Sequence, residues 1–503
     1  MVDPGSLGAE SQVTRDAPVI VIRRHDRGTL ISAPGRRVFL CFCLVEALGL
    51  LLIGACQETF SPLIGPCLAA IGFALVVFAT SPARCYYSPL VFSMWFNLGC
   101  VLSFADLMIN EAIHRSHPNP ATAAFAFTDG EMWLGVSYLA VGALAIVVAT
   151  LFAEKFVARD TPSRPRAFRD QGIAVKAVIG WTVLSLILMV VLAYLQIGRT
   201  GLVNKTELPF HLAGLISFTR SYAVPVFGLL IVDMLVSGKY GLILKCMFVG
   251  LVLVGLAGSI TSLSRGYLGF LVIALSLYFV VNLGRHRANS RSLILWVAGA
   301  APFLLLSIFL VNSLRDKGFA GQELSISSVG SYIGASRLTD LGLILTDFFN
   351  LAVGRIGGLQ ELLGTLSAPH VWDARNPWYL FMENEEVMSW LQRGVLGFVT
   401  YGDATVGFGY SYSLWGSLAL GGSMWHVLVG TCAYLAALLA MEEAFYRINL
   451  PVISLVLTVN VGFQFWGFAN KTICINLLGI ILVIYFIARL CCQPSSWIRE
   501  VRK

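Results

Sequence analysis

The sequence predicts an all-α, polytopic integral membrane protein of about 12 transmembrane helices with one large outer loop, and three observations predict it. First, 57% of the 503 residues are hydrophobic and 13% are charged, with a mean hydropathy of +0.77; a soluble protein carries about 25% charged residues. Second, the apolar residues fall in runs of about 17–22, the length that crosses a bilayer core. Third, the connections between runs alternate between rich and poor in Lys and Arg, as expected of a chain that threads a membrane repeatedly.

Residues 1–37 read as a polar cytoplasmic tail carrying Arg15, Arg23, Arg24, Arg27, Arg36 and Arg37. It is too long and too rich in Pro and Gly for the n-region of a signal peptide, and no small-residue cleavage site follows, so the first span is expected to stay. Spans 1–9 occupy residues 38–311, at 38–56, 63–79, 89–109, 132–153, 173–195, 215–235, 240–258, 266–283 and 293–311. A large loop follows over 312–411, then spans 10–12 within 412–490, at 422–440, 450–468 and 472–490, and a tail at 491–503. Every span should be a helix, because a helix satisfies its own backbone in lipid. The connections at Arg84, at Lys155 and Arg159 to Arg169, at Lys239, at Arg285 to Arg291 and at Arg447 share a side with the basic tail. The short opposite connections hold little beyond Arg115, Arg199, Lys205 and Lys471. That asymmetry places both termini in the cytoplasm and residues 312–411 outside it.

The net charge of +7 does not indicate nucleic acid, since the cations are dispersed and no soluble basic domain exists. No cysteine falls in the long loop, so no disulfide framework is expected there. The Cys491–Cys492 pair at the last membrane exit fits a small apolar helix end, with acylation as the alternative.

The loop is more than a linker. Leu341–Val353 (LGLILTDFFNLAV) is apolar but too short to span, and fits an interfacial or re-entrant helix. The loop carries Arg315, Arg337, Arg355 and Arg375, and Arg265 stands at the outer mouth of a span in SITSLSRGYLGFL. Long loops are exempt from the bias against outer cations, so the charges are permitted but not explained. Fixed cations beside a membrane point to an anionic substrate, and a lipid-linked diphosphate is a natural one. Arginine suits it because its planar fork binds phosphate oxygens two at a time. For Arg265 the competing reading is a side chain snorkelling to the outer headgroups. Arg220, in LISFTRSYAVPVF, shares its span with Pro225, whose missing N–H frees a carbonyl and often marks a cavity-lining kink; interior packing and snorkelling are the alternatives. Arg355 is flanked by Gly354, Gly357 and Gly358, which allow close backbone approach to a ligand.

A general base requires His, Asp or Glu. His370 lies in SAPHVWDARNPWYLF beside Trp378 and Tyr379, aromatics that stack on sugar rings and also populate membrane interfaces. Asp340 and Asp347, seven apart on the short apolar helix, are the alternatives. Metal-ligand spacings such as CxxC or HExxH are missing from the outer side, so neither a tightly bound metal nor another cofactor is expected. Glu442 and Glu443 read as a solvated helix end, and Glu46, Asp106 and Lys245 as charges near helix ends.

SLSRGYLGFL at the outer start of a span, a single large outer loop with RIGGLQELLG and RNPWYLF, and the return through YSYSLWGSLALGGSMWHVLVG together resemble the Wzy-type O-antigen and oligosaccharide repeat-unit polymerases. The resemblance covers about residues 210–490. The related O-antigen ligases share the SRG-like signature and the large loop. The resemblance implies a GT-C-type helical bundle in the bacterial inner membrane. It implies a metal-independent, inverting glycosyl transfer from a glycan carried on undecaprenyl diphosphate. By position it assigns Arg265 to the diphosphate and supports Arg355. A chain-length regulator and a repeat-unit flippase are the partners it brings, beside the bilayer itself. A ligase or other lipid-linked glycosyltransferase is the alternative enzyme. A transporter would instead predict two similar helical halves and broken helices at the midplane.

Overall fold

Helix caps and turns set out the bundle. The computed structural model describes residues 30–55, 61–105, 107–108, 127–156, 167–197, 212–264, 266–283, 288–319, 359, 362–363, 366, 414–419, 421–448, 450–467, 478–479 and 481–486. Among these the chain is helical and contains no strand. The helices are α1 (Ala33–Ala55), α2 (Ile64–Ala79), α3 (Ser88–Phe96), α4 (Asp129–Phe156), α5 (Gln171–Leu195), α6 (Leu212–Phe218) and α7 (Val224–Ser237). They continue with α8 (Gly241–Ser262), α9 (Gly266–Val281), α10 (Ala288–Phe319), α11 (Leu414–Ala419), α12 (Met424–Arg447) and α13 (Pro451–Gly467). Among the described residues two π-turns, Asn97–Val101 after α3 and Thr219–Ala223 between α6 and α7, interrupt the regular winding.

Seven helices among the described residues are long and apolar enough to cross a membrane: Ser88–Ala105, Asp129–Lys155, Gln171–Leu195, Leu212–Ser237, Gly241–Ser262, Arg291–Ile308 and Met424–Arg447. Shorter apolar helices lie at Ile64–Ala79, Gly266–Val281 and Pro451–Asn460. The chain is therefore a helical, multi-pass membrane protein. The seventh of these helices, α12, runs further than the expected 422–440, and α10 continues to Phe319, past the expected span end at 311.

Starts are fixed by local chemistry. Thr128 and Glu131 form a reciprocal capping box at α4: the Glu131 carboxylate accepts from the Thr128 N–H at 2.7 Å, and Thr128 Oγ1 accepts from the Glu131 N–H at 3.3 Å. Asp170 caps α5 by accepting from the Ile173 N–H at 2.8 Å, and Ser423 caps α12. Asp129 and Glu131 in the first turn of α4, with Lys155 in its last, also match the helix dipole.

Contacts between helix ends sort the bundle into two ends. Arg84, in the α2–α3 turn, pairs with Glu154 near the end of α4. Tyr87 stacks on Tyr446 near the end of α12, ring centroids 6.3 Å apart. The Ser32 N–H, just before α1, donates to the Val281 carbonyl at the end of α9 at 3.0 Å. The Tyr278 hydroxyl of α9 donates to Asp233 near the end of α7 at 2.7 Å. At the other end the Ser61 N–H, before α2, donates to Asp129 at the start of α4 at 2.9 Å. Arg84, Lys155, Lys239, Arg447 and the start of α1 thus gather at one end, the sharing that the Lys and Arg distribution predicts.

α13 is the axis of the bundle. From Val452 to Asn460 every side chain is buried, and α3, α7, α9 and α12 pack around it. Ser454, Thr458 and Asn460 are among these buried residues, polar side chains that lipid does not satisfy. α5 is the opposite case: Ile179, Val183, Leu184, Ile187 and Val190 are exposed, a surface for lipid. Close approach relies on missing side chains. A Cβ at Gly142 of α4 would stand 2.4 Å from the Trp415 ring of α11, and one at Gly258 of α8 would stand 2.2 Å from the Tyr267 ring.

Two readings of charged residues are corrected here. Glu442 is not a solvated helix end: it is fully buried and accepts from the Tyr87 N–H at 2.9 Å and from the Thr458 hydroxyl at 3.1 Å. It caps the start of α3 from a position 355 residues away. Glu46 is not near a helix end. It lies midway along α1 and is 6% exposed.

Candidate functional site

The end of the bundle opposite Arg84 carries the candidate site. α6 and α7 form one apolar stretch, Leu212–Ser237, broken by the π-turn Thr219–Ala223. Pro225 explains the position of that break. Its ring removes one N–H from the ladder and crowds the carbonyl four residues back, and widening the preceding turn absorbs both. π-turns inside α-helices are frequent at functional sites. This one holds Arg220, which is buried at 4% exposure, with Nη2 donating to Ser217 Oγ at 3.2 Å. Arg220 therefore does not snorkel. Its side chain is held inside the bundle, where a full charge is costly unless it is used.

The turn from α8 to α9 lies against the same residue. α8 ends at Ser262, Leu263 adopts the left-handed conformation at φ 50°, and α9 begins at Gly266. Ser259 Oγ accepts from the Leu268 N–H at 3.1 Å, and the Ser264 N–H donates to the Ser259 carbonyl at 3.0 Å, which locks the turn. Tyr267, buried on α9, donates its hydroxyl to the Arg220 carbonyl at 2.9 Å. The sequence SLSRGYLGFL is thereby tied to the Arg220 π-turn. Ser262, in the last turn of α8, bonds its own helix, Oγ donating to the Gly258 carbonyl at 2.6 Å, while Ser259 bonds the start of α9.

Part of the long loop packs at this end too. Leu359, Leu362 and Leu363, directly after Arg355 in RIGGLQELLG, are buried. A Cβ at Gly135 of α4 would meet Leu363 at 2.8 Å and Leu359 at 3.7 Å. The segment thus docks on the first turns of α4. α11 covers the same helix further on, with Trp415 Nε1 donating to Thr431 of α12 at 3.0 Å.

Of the residues the sequence singles out, Arg220 is described in full and Arg315 falls on α10. Arg265, Arg355, Arg337, Arg375, Trp378, Tyr379, His370, Asp340 and Asp347 lie outside the described residues. Two residues went unnoticed in the sequence. Tyr267 carried a signal in its place two residues after Arg265. His426, in the first turn of α12 at this same end, carried one in its place within YSYSLWGSLALGGSMWHVLVG. Its ring packs over Gly421, where a Cβ would stand 2.4 Å away, and its Nδ1 is buried with no hydrogen-bond partner among the described residues. No three His, Cys, Asp or Glu side chains among the described residues come together as metal ligands. No family model, curated protein or solved structure matches this chain.

Proposed function

We propose that this chain is a membrane-embedded glycosyltransferase. In this reading it polymerises undecaprenyl-diphosphate-linked oligosaccharide repeat units into a surface polysaccharide on the outer face of the bacterial inner membrane. Twelve spans, both termini in the cytoplasm and residues 312–411 outside complete the reading. The observation that supports it most is the junction at Tyr267, which ties the SRG turn to the π-turn of a buried arginine at the end of the bundle opposite the basic connections.

The chemistry asks little of the protein beyond placement and charge. The acceptor hydroxyl attacks the anomeric carbon. The bond from that carbon to the diphosphate oxygen breaks, the diphosphate leaves with the electron pair, and the hydroxyl proton passes to a base. Diphosphate already leaves well, so the main tasks are to stabilise its developing charge and to hold two large substrates together. Arg265 and Arg220 take the first task, and Arg355, Arg315, Arg337 and Arg375 support it from the loop. Trp378 and Tyr379 stack on the sugars. His370 is the base in this reading, with Asp340 and Asp347 as the alternatives and His426 as a second imidazole at the same end.

The test is chain growth on a gel, with purified protein and lipid-linked repeat units. A positioned base contributes about 10²–10⁴-fold in rate, so His370→Ala should bind repeat units but extend them very slowly. Normal growth by His370→Ala beside a dead His426→Ala would move the role to α12. Transfer of a finished glycan to another lipid acceptor, with no ladder, would replace polymerase by ligase.

A further inference from the structure

Glu46 stands apart from that chemistry. It lies midway along α1, about 20 Å from Ala33 at 1.5 Å per residue, and so at hydrocarbon depth. It is buried, and neither carboxylate oxygen has a hydrogen-bond partner among the described residues. Burying an ion without compensation costs several kcal/mol, and in a membrane span such a residue is functional by default.

Among the described residues its neighbours offer oxygen and sulfur rather than positive charge. Cys43 is three residues away on the same face of α1, and its Sγ lies 3.9 Å from Asn97 Oδ1 in the π-turn after α3. Asn97 is itself fixed: its Nδ2 donates to the Ser93 carbonyl at 2.7 Å and to the Gly72 carbonyl at 3.4 Å, which turns Oδ1 toward α1. A Cβ at Gly72 would stand 2.3 Å from that oxygen, so α2 keeps the space open by lacking a side chain. Among the described residues the helices that pack most extensively along α1 are α2 and α9, and neither contains Lys, Arg, His, Asp or Glu. Their titratable groups are Cys67 on α2 and Tyr267 and Tyr278 on α9, the two tyrosines already donating to the Arg220 carbonyl and to Asp233. The π-turn adds Cys100, and Asp106 beyond it lies outside the described residues. On α1 itself the cations are Arg36 and Arg37, in its first turns.

We propose that Glu46, with the carboxamide oxygen of Asn97, forms an intramembrane site for a monovalent cation, a proton or a sodium-sized ion, that neutralises the buried carboxylate. Oxygen ligands suit hard cations, and the neutralised site holds α1 against α2 and the π-turn. The inference is independent of the polymerase reading, because its test needs no glycan.

The test uses the full-length protein in nanodiscs and a hydrophobic carbodiimide, which adds to protonated carboxyl groups, with the modified residue mapped by mass spectrometry. In choline chloride, labelling of Glu46 should rise up to about tenfold for each pH unit lowered while the ionised form predominates. Sodium at about ten times its dissociation constant should slow labelling roughly tenfold if sodium is the occupant; pH dependence with no sodium effect assigns the site to the proton. Glu46→Gln should remove the label while the protein stays folded. The proposal is overturned if Glu46 labels only after denaturation, or if its labelling in the folded protein changes with neither pH nor sodium. The wild-type result decides even if the variant fails to fold.

Discussion

The segment Ser88–Ala105, which is α3 with its π-turn, and α5 are both apolar and of membrane-spanning length, and they occupy opposite places. The Ser88–Ala105 segment is 83% buried and α5 is 28% buried, yet α5 is the more hydrophobic of the two. In water that order would be reversed. In a bilayer the solvent is hydrocarbon, so an apolar face gains little by leaving lipid for the interior. What draws a helix inward is polar chemistry that lipid cannot satisfy. Ser88–Ala105 carries it: Ser88 and Ser93 of α3 and Asn97 of the π-turn are buried, and the first turn is capped by Glu442 of α12. α5 has an exposed apolar surface over most of its length, and its polar ties to other helices are slight: Trp181 Nε1 donates to the Val224 carbonyl at 3.1 Å and the Thr261 hydroxyl to Met189 Sδ at 3.8 Å.

That contrast orders the expected effects of substitution, read as thermal or denaturant unfolding of the protein in nanodiscs. Glu442→Ala is the largest. It strands the Tyr87 N–H and the Thr458 hydroxyl, two buried donors worth about 1–3 kcal/mol each, so about 2–5 kcal/mol should be lost. Glu442→Gln keeps an acceptor and should lose less. Asn97→Ala comes next, at about 1–2 kcal/mol, since it removes the side-chain bonds that tie the π-turn to Gly72. Leu184→Ala on α5, at a side chain 69% exposed, should stay within about 0.5 kcal/mol, because lipid fills the place of the deleted atoms. If Leu184→Ala proved as costly as Asn97→Ala, burial in lipid and burial in protein would not be equivalent here, and the account of α3 and α5 would fail.

The same physics explains what was legible in the sequence. Helical spans were readable, since an apolar run of bilayer length has one solution in lipid; α13 at Pro451–Gly467 lies almost where the run at 450–468 puts it. The sharing of sides was readable from Lys and Arg. Which face of a helix meets protein was not, because lipid and core are both apolar. Glu442 was misread for that reason: its partner Tyr87 is 355 residues away, and nothing local distinguishes a capping carboxylate from a solvated one. Glu46 was misread because hydropathy smooths a single charge into its apolar run. At the candidate site, Pro225 gave notice of an irregular helix, but the π-turn and the Tyr267 bond to Arg220 depend on tertiary packing.

The claim that the arginine-bearing end of the bundle handles a lipid-linked diphosphate is tested most directly by substitution that keeps charge and changes geometry. Arg265→Lys and Arg220→Lys would be assayed for chain growth on lipid-linked repeat units, beside unfolding curves for the same preparations. Lysine is a point charge and does not reproduce the bidentate fork, so the account predicts loss of most polymer at unchanged stability for Arg265→Lys, and a smaller loss for Arg220→Lys. Ladders of wild-type length and rate from both variants would contradict it.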